Sequence, residues 1–357
     1  MSPPNTSLIQ ILSNWVAGQI PTVSQWQQLA TEALASPQQA KVFGITSANV
    51  EEKIQARSHL FQAVYPEVLS LPAFRSTIED NAQSQILLSL WNLWLPLAMQ
   101  LASDRQQLGR PLIQGILGVQ GTGKTTLATV LSLILTHLDY RTLSLSLDDL
   151  YKTYAERQRL QQQDPRLIWR GPPGTHDVEL GVQLLDQLRQ TNPIHPILVP
   201  RFDKSAWGGV GDRTTPEQVE DIDIVLFEGW FVGVRPSDPS VFDASTPPPI
   251  DTPADRDFAR DMNERLKDYL PLWERLDQLM VLYPTNYRLS QQWRRQAEQQ
   301  MKATGKSGMT DAQIDDFVNY FWKSLHPELF IAPLMNKPNW VDLVIEINPD
   351  HTAGAIY

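Results

Sequence analysis

Gly118-Val-Gln-Gly-Thr-Gly-Lys124-Thr125 matches the pattern G-x-x-x-x-G-K-[ST]. The stretch follows an apolar run at 112–118 and precedes a predicted helix at 126–138. Glycines in such a loop let backbone N–H groups surround a phosphate, and the helix N-terminus adds positive partial charge. In this arrangement Lys124 reaches the β- and γ-phosphates, and the Thr125 hydroxyl is a ligand for Mg²⁺. The predicted nucleotide-binding residues are Gly118, Gly121, Thr122, Gly123, Lys124, Thr125 and Thr126.

Apolar runs alternate with helical stretches from Pro111 onward. The predicted strands are LIQGILG (112–118), TLSLSL (142–147), IDIVLFE (222–228), QLMVLYP (278–284) and VDLVIEI (341–347). Their near-continuous hydrophobicity is typical of a parallel sheet that helices cover on both faces. ILVP (197–200) predicts a further short strand, and the proline-rich segment 236–253 predicts an extended surface loop.

Residues 1–109 are rich in glutamine and helical in pattern. Apolar residues recur at helical spacing in 26–34, 50–64 and 85–101, and prolines, among them Pro66, separate these runs. We therefore predict a helical N-terminal extension over 1–109 and an α/β domain over 110–357.

The composition excludes several classes of protein. The 357 residues include 30 Lys plus Arg, 40 Asp plus Glu and no Cys, for a formal charge of −10. Without cysteine the chain has no disulfides, no thiolate chemistry and no Cys-ligated zinc. Net acidity argues against general nucleic-acid binding, which needs a basic surface. No stretch approaches the ~20 uncharged apolar residues of a membrane helix, and the N-terminus lacks a signal or transit pattern. We expect a cytoplasmic protein with neither nucleic-acid nor membrane partners.

Carboxylates follow two of the predicted strands. Glu228 ends strand 222–228, where a second metal-directed carboxylate is expected in a chain with a phosphate loop. Asp148 and Asp149 follow strand 142–147, and ligands of open parallel sheets bind beyond these strand ends. One aspartate can accept the proton of an attacking hydroxyl, and the other can cap a helix. If the backbone stays extended there, the two side chains point to opposite sides.

Two glycine-rich segments, 170–177 and 201–213, collect basic residues in this acidic chain. Arginine matches a carboxylate bidentately, so the cluster favours a small anionic acceptor. Asp177 is also a plausible helix N-cap, and His176 taken alone is more readily structural. The predicted substrate-binding residues are Asp149, Tyr151, Arg170, His176, Asp177, Arg201, Lys204 and Arg213.

Trp293-Arg294-Arg295 lies on a predicted helix after the fourth strand of the sheet. A mobile helix that brings Arg294 to the transferring phosphate would close the site and exclude water. The alternative is an exposed basic turn of the helix.

In these motifs the chain resembles the plant and cyanobacterial type of D-glycerate 3-kinases. That type lies within the P-loop kinase group that includes phosphoribulokinase, uridine kinase and pantothenate kinase. The resemblance covers roughly residues 110 to 347 and rests on GVQGTGKTT (118–126), SLDDLY (146–151), RGPPGTHD (170–177), VPRFDKSAWGGVGDR (199–213), FEGWFVG (227–233), WRRQAE (293–298) and GMTDAQIDDFV (308–318).

The resemblance implies a three-layer sandwich around a five-stranded parallel sheet of order 2-3-1-4-5. It also implies Asp148 as the general base. With the roles argued above from the residues themselves, the predicted cofactors are ATP and Mg²⁺, the further catalytic residues are Lys124 and Arg294, and the metal ligands are Thr125 and Glu228. The implied reaction phosphorylates D-glycerate at its 3-hydroxyl, giving 3-phosphoglycerate and ADP for photorespiratory recycling. Two alternatives stay open: a related kinase for a nucleoside, pantothenate or a sugar phosphate, and a nucleotide-switched binding protein without an acceptor.

Overall fold

The computed structural model describes residues 4–75, 80–191, 194, 196–243, 245–303 and 308–357. Residues 1–3 and 76–79 of the predicted extension lie outside the described residues. The strands are β1 (Leu112–Gly118), β2 (Thr142–Ser146), β3 (Ile197–Asp203), β4 (Asp212–Val219), β5 (Ile224–Gly229), β6 (Gln278–Pro284), β7 (Leu343–Ile347) and β8 (Ala353–Ile356).

In the described part of the chain the strands form a six-stranded sheet of order β2-β5-β1-β6-β7-β8 and a separate hairpin of β3 and β4. The first five strands of the sheet are mutually parallel, and β8 runs antiparallel to β7. Numbered along the chain without the hairpin, the parallel strands have the order 2-3-1-4-5 that the resemblance implied. The edge strand β8 and the hairpin partner β4 were not predicted.

The helices are α1 (Pro4–Val16), α2 (Val23–Leu34), α3 (Pro37–Val42), α4 (Val50–Ser70), α5 (Asp80–Ser89), α6 (Leu95–Leu108), α7 (Lys124–Thr136), α8 (Tyr154–Gln163), α9 (Val178–Leu188), α10 (Pro253–Arg265), α11 (Leu270–Trp273), α12 (Leu289–Ala303), α13 (Asp311–Ser324), α14 (Pro327–Phe330) and α15 (Ala332–Met335). A π-helical turn (Leu90–Trp94) joins α5 to α6.

Helix α4 runs through Pro66, which was expected to end a helix. The buried side chains of α4 continue past Pro66 to Val68.

Helices cover both faces of the sheet, as a three-layer sandwich requires. Along β1, Ile113 and Leu117 join one buried cluster with α9 to α11, whereas Leu112 and Ile116 join the other with α7. The second cluster also contains residues of α1, α4 and α6. The N-terminal helices therefore pack on the α7 side and share its hydrophobic core. The division at residue 109 stays a prediction.

The helical stretch 82–108 differs from the expectation that no stretch of the chain approaches the apolar length of a membrane helix. It is long and apolar enough to cross a membrane by length and composition, with a mean hydropathy of 1.4 in its most apolar window. In the structure 61% of that window is buried, and Leu90, Leu95 and Leu101 are at most 1% exposed. The stretch packs here as a core helix.

The segment 236–253 also differs from the predicted surface loop. It contains a short 3₁₀ turn at Pro239–Phe242, and the side chains of Phe242 and Ile250 are fully buried. These two apolar side chains pack the segment against the core. The sequence analysis did not predict their burial because prolines surround them.

Replacing Trp91 by Ala tests whether the N-terminal helices share one core with the sheet. Trp91 is 1% exposed and packs edge-on against Trp15 and Phe61, with ring centroids 5.6 and 5.3 Å away. We expect a loss of about 3–5 kcal/mol in the free energy of unfolding, measured by urea denaturation. Ile20→Ala, at a residue that is 79% exposed, is the control.

Because the core is shared, Trp91→Ala should also speed hydrogen exchange at the amides of β1. A loss of protection confined to the N-terminal helices, with β1 unchanged, would contradict a common core.

Candidate active site

The phosphate loop joins β1 to α7, as predicted. Gly121 and Gly123 have φ of +82° and +84°, a conformation that favours glycine. A Cβ at position 121 would lie 2.7 Å from the Cβ of Trp293, so α12 packs directly against the loop. The buried Thr122 hydroxyl donates to the Val119 carbonyl at 2.9 Å. The loop is thus held in place by its own side chains and by Trp293.

Lys124 lies among three other charged side chains. Its Nζ donates to the Val119 carbonyl at 3.2 Å. Burial lowers the pKa of Lys124, the carboxylates of Glu228 and Asp148 oppose that shift, and the Lys204 ammonium adds to it. These four side chains, Lys124, Glu228, Asp148 and Lys204, form one electrostatic group that we call the charged cluster.

Two oxygen ligands suited to Mg²⁺ meet beside Lys124. The Thr125 hydroxyl donates to Glu228 Oε1 at 3.3 Å. The described residues contain no group of three or more His, Cys, Asp or Glu side chains able to hold a metal. Mg²⁺ in nucleotide sites is usually bound by one or two protein oxygens, phosphates and waters rather than by a protein cage. Thr125 and Glu228 therefore fit the ion.

The two aspartates after β2 point apart, but not for the reason expected. Strand β2 ends at Ser146, and a 3₁₀ turn at Leu147–Leu150 replaces the predicted extended backbone. Asp149 folds back to accept from the Ser146 N–H at 3.0 Å, and Ser146 Oγ accepts from the Asp148 N–H. This reciprocal capping box, not strand alternation, separates the two side chains.

Asp148 projects into the charged cluster. Its Oδ2 lies 2.6 Å from Lys204 Nζ, and the two side chains are 27% and 62% exposed. Burial alone would raise the pKa of Asp148, but the Lys204 ammonium and a hydrogen bond from Tyr151 outweigh it and hold the pKa below its usual value. Asp148 is therefore ionised at neutral pH and can accept a proton.

Three ion pairs attach the hairpin of β3 and β4 to the body of the protein. They are Asp148–Lys204 at 2.6 Å, Asp149–Arg201 at 2.8 Å and Asp177–Arg213 at 2.8 Å. In each pair the acid belongs to the sheet side and the base to the hairpin or its turn. The structure thus brings six of the predicted site residues together along one seam.

The two hairpin arginines are already occupied by protein groups. Arg201 also binds Glu217 at 2.6 Å, and Arg213 donates to the Tyr151 carbonyl at 2.9 Å. Asp177 caps α9 by accepting from the Leu180 N–H at 3.1 Å. Their binding of a substrate carboxylate stays a prediction, and the observed contacts give them a role in holding the hairpin.

Arg170 connects the segment 170–177 to the hairpin turn. Its Nη1 donates to the carbonyls of Gly209 and Val210, both at 2.8 Å. The guanidinium lies over the ring of Phe202 at 5.5 Å and that of Tyr151 at 6.0 Å. Arg170 therefore helps to shape the acceptor side.

His176 is buried in an aromatic cluster. Its ring stacks on Tyr151 at 4.6 Å, and its Nδ1 lies 2.8 Å from the Tyr269 hydroxyl. That hydroxyl accepts from the Gly174 N–H at 2.9 Å, so its own hydrogen is available for Nδ1. Burial lowers the pKa of His176 to about 3, so the ring is neutral at physiological pH. Within the described residues Nε2 has no hydrogen-bond partner.

Arg294 pairs with an acid of its own helix and lies beside α13. Its guanidinium pairs with Glu298 at 3.3 Å and lies 5.4 Å from the ring centre of Phe317 on α13. The neighbouring Trp293 is the side chain of α12 that reaches the phosphate loop. A catalytic role of Arg294 stays a prediction and requires the helix or the side chain to move.

Sequence reasoning missed three residues that position this site. Trp293 supports the loop at Gly121, Tyr269 orients His176, and Ser146 builds the turn that separates the aspartates. Only Ser146 had a signal, because Ser146-x-x-Asp149 has capping-box spacing. The other two contacts join segments far apart in sequence.

A parallel sheet of this order, with a phosphate loop and carboxylates at its strand ends, is the architecture of P-loop kinases. No protein-family model matches the chain. An uncharacterised kinase of Schizosaccharomyces pombe, mug58, is 31% identical over 252 residues, which are 67% of this chain and 90% of that one. The chloroplastic D-glycerate 3-kinase of Arabidopsis thaliana is 32% identical over 253 residues, 67% of this chain and 53% of that one.

Among solved structures, that of a D-glycerate 3-kinase from Cryptococcus neoformans superposes with a TM-score of 0.64. It is 27% identical, and the match covers 74% of this chain and 98% of that one. The chain belongs to the D-glycerate 3-kinase type of P-loop kinases and is a kinase.

Asp148→Asn and Asp149→Asn test which aspartate is the base. Asp148→Asn should lower kcat for phosphoryl transfer by ~10²-fold or more, because the acceptor hydroxyl loses its proton acceptor, while the affinity for Mg·ATP is largely kept. Asp149→Asn breaks the pair with Arg201 and should act mainly on the acceptor KM, with a smaller loss in kcat.

Steady-state kinetics and nucleotide titration of both variants separate the two roles. An inactive Asp149→Asn beside an active Asp148→Asn would reverse the assignment.

Proposed function

We propose that the chain transfers the γ-phosphoryl group of ATP to the 3-hydroxyl of D-glycerate, giving 3-phosphoglycerate and ADP. The observation that carries this proposal is the Asp148–Lys204 pair, 2.6 Å apart and within the charged cluster around Lys124. The Arabidopsis and Cryptococcus relatives are D-glycerate 3-kinases, which supports the same substrate.

A small hydroxy acid suits this pair. Lys204 can bind the substrate's carboxylate, and Asp148 can then accept a hydrogen bond from a hydroxyl of the same molecule. The substrate carboxylate would replace Asp148 as the partner of Lys204 and so release the base. Because Lys204 is 62% exposed, its ammonium can change partner with little loss of contact.

Each side chain then has a task that follows from its position. The loop N–H groups and Lys124 bind the phosphates and neutralise their charge. Asp148 orients the attacking hydroxyl and accepts its proton. Nε2 of His176 has no hydrogen-bond partner within the described residues, and in the tautomer that carries the ring hydrogen there it can donate to a substrate oxygen. Arg170, Arg201 and Arg213 hold the hairpin that closes the acceptor side.

Thr125 and Glu228 would hold Mg²⁺. When bound, the ion neutralises charge on the β- and γ-phosphate oxygens. The 3.3 Å contact between the two side chains supports this placement.

A coupled assay of ADP release tests the proposal. D-Glycerate should raise ADP release well above the rate without acceptor, with 3-phosphoglycerate formed in equal amount, and Lys124→Ala should abolish both. Uridine, pantothenate and ribulose 5-phosphate are the comparison acceptors.

Faster ADP release with one of those compounds would identify that compound, and not D-glycerate, as the acceptor. A rate that no acceptor changes would favour the nucleotide-switched binding protein.

A further inference from the structure

We propose that the N-terminal helices complete the nucleotide site, with Phe74 and Trp94 forming an aromatic wall for the base. The inference rests on the proposed use of ATP. It concerns the N-terminal helices, which lie outside the phosphate-loop motif. It assigns a binding function to Phe74 and Trp94.

The observation is a cavity of about 590 Å³ between the phosphate loop and the N-terminal helices. Residues 121–127 of the phosphate loop and α7 line it together with Ala73, Phe74 and Trp94 of the N-terminal extension. A volume of this size is typical of a site for a small molecule. The cavity is therefore shared by two parts of the chain that lie far apart in sequence.

The two parts of the lining differ in chemistry. The loop part offers backbone N–H groups and Lys124, which suit a polyphosphate. The remaining lining is largely apolar and includes Leu282, Ile345 and Ile347. A ligand that is anionic at one end and flat and apolar at the other matches this division, and a nucleoside triphosphate has that form.

Phe74 and Trp94 provide the flat surface. Their ring centroids are 5.7 Å apart with planes at 34°, and both side chains are half-buried. An aromatic pair that is packed on one side and open to a cavity on the other can stack on a base, and such stacking tolerates any base because each has a π-face.

The π-helical turn explains why Trp94 reaches the cavity. Residues three apart on a regular helix share a face, yet Trp91 is buried in the core and Trp94 lines the cavity. The wider turn changes the direction of the later side chain, and such turns are frequent at functional sites.

Side chains of other N-terminal helices stabilise this turn. Pro96 has no N–H to donate, and the Asn92 carbonyl instead accepts from Gln39 Nε2 at 2.8 Å. The Trp91 carbonyl accepts from Arg57 Nη1 at 3.0 Å. The extension thus maintains the unusual turn from within its own structure.

A further part of the lining is fixed by the loop between β7 and β8. His351, which also lines the cavity, stacks on Trp293 at 4.5 Å. Trp293 donates to the Pro349 carbonyl at 3.1 Å and supports the phosphate loop. A base held in the cavity would connect the extension to the catalytic loop.

Calorimetric titration with Mg·ADP and with Mg·tripolyphosphate tests the proposal, because the second ligand has phosphates but no base. Phe74→Leu and Trp94→Leu keep an apolar side chain and remove the ring. Each should weaken Mg·ADP by about tenfold and leave Mg·tripolyphosphate within about twofold of the unsubstituted protein. Phe74→Ala and Trp94→Ala give a second series, and circular dichroism checks that each variant is folded.

The matched control is Trp26→Leu, which removes a half-buried ring of the same helical layer that packs on Trp15 at 5.1 Å. It should leave both affinities unchanged. Unchanged Mg·ADP affinity in the folded Phe74 and Trp94 variants would overturn the aromatic wall while leaving the proposed function intact. Equal weakening of both ligands would also overturn it, since the residues would then act on the loop alone. If the unsubstituted protein bound neither ligand, the proposed function would fail as well.

Discussion

The parallel register of β2, β5 and β1 is the constraint on which the site depends. Glu228 on β5 pairs in register with Ser146 on β2 and with Ile116 on β1. All three strands therefore end at the same edge, and the phosphate loop, the metal-directed carboxylate and the turn that carries Asp148 follow from that edge. A shift of one residue between β5 and its neighbours would turn Glu228 to the opposite face and separate it from Thr125.

Charge pairing supplies the second level of organisation. The chain carries a net charge of −10, yet its acceptor side collects bases, and three of them, Arg201, Lys204 and Arg213, each pair with an acid across the seam between hairpin and sheet. Partly buried pairs of this kind position groups more than they stabilise the fold. The arrangement leaves Lys204, the most exposed of the bases in these three pairs, to exchange its partner for a substrate.

The sequence predicted the parts that local pattern controls. The phosphate loop, the five parallel strands and the cap at Asp177 follow from spacing, hydrophobicity and side-chain type within a few residues. Contacts between distant segments left no such pattern: Trp293 against Gly121, Tyr269 beside His176, and the pairing of Arg201 with Asp149. The condition for strand alternation at Asp148 and Asp149 is not met, because Ser146 starts a 3₁₀ turn. The membrane-length argument overlooked residues 82–108 because Gln, Ser and Asn residues interrupt the apolar run.

The central claim is that the phosphate loop, the metal ligands and the general base Asp148 meet at one edge of the sheet. A crystal structure with Mg·ADP and D-glycerate tests this claim most directly. The account predicts that the phosphates of ADP bind to residues 118–125 and that Mg²⁺ binds to Thr125 and Glu228. It also predicts that the carboxylate of D-glycerate contacts Lys204 and that the 3-hydroxyl of D-glycerate lies about 2.6–3.2 Å from an Asp148 oxygen. A structure in which glycerate binds elsewhere while Asp148 and Lys204 remain paired would contradict it.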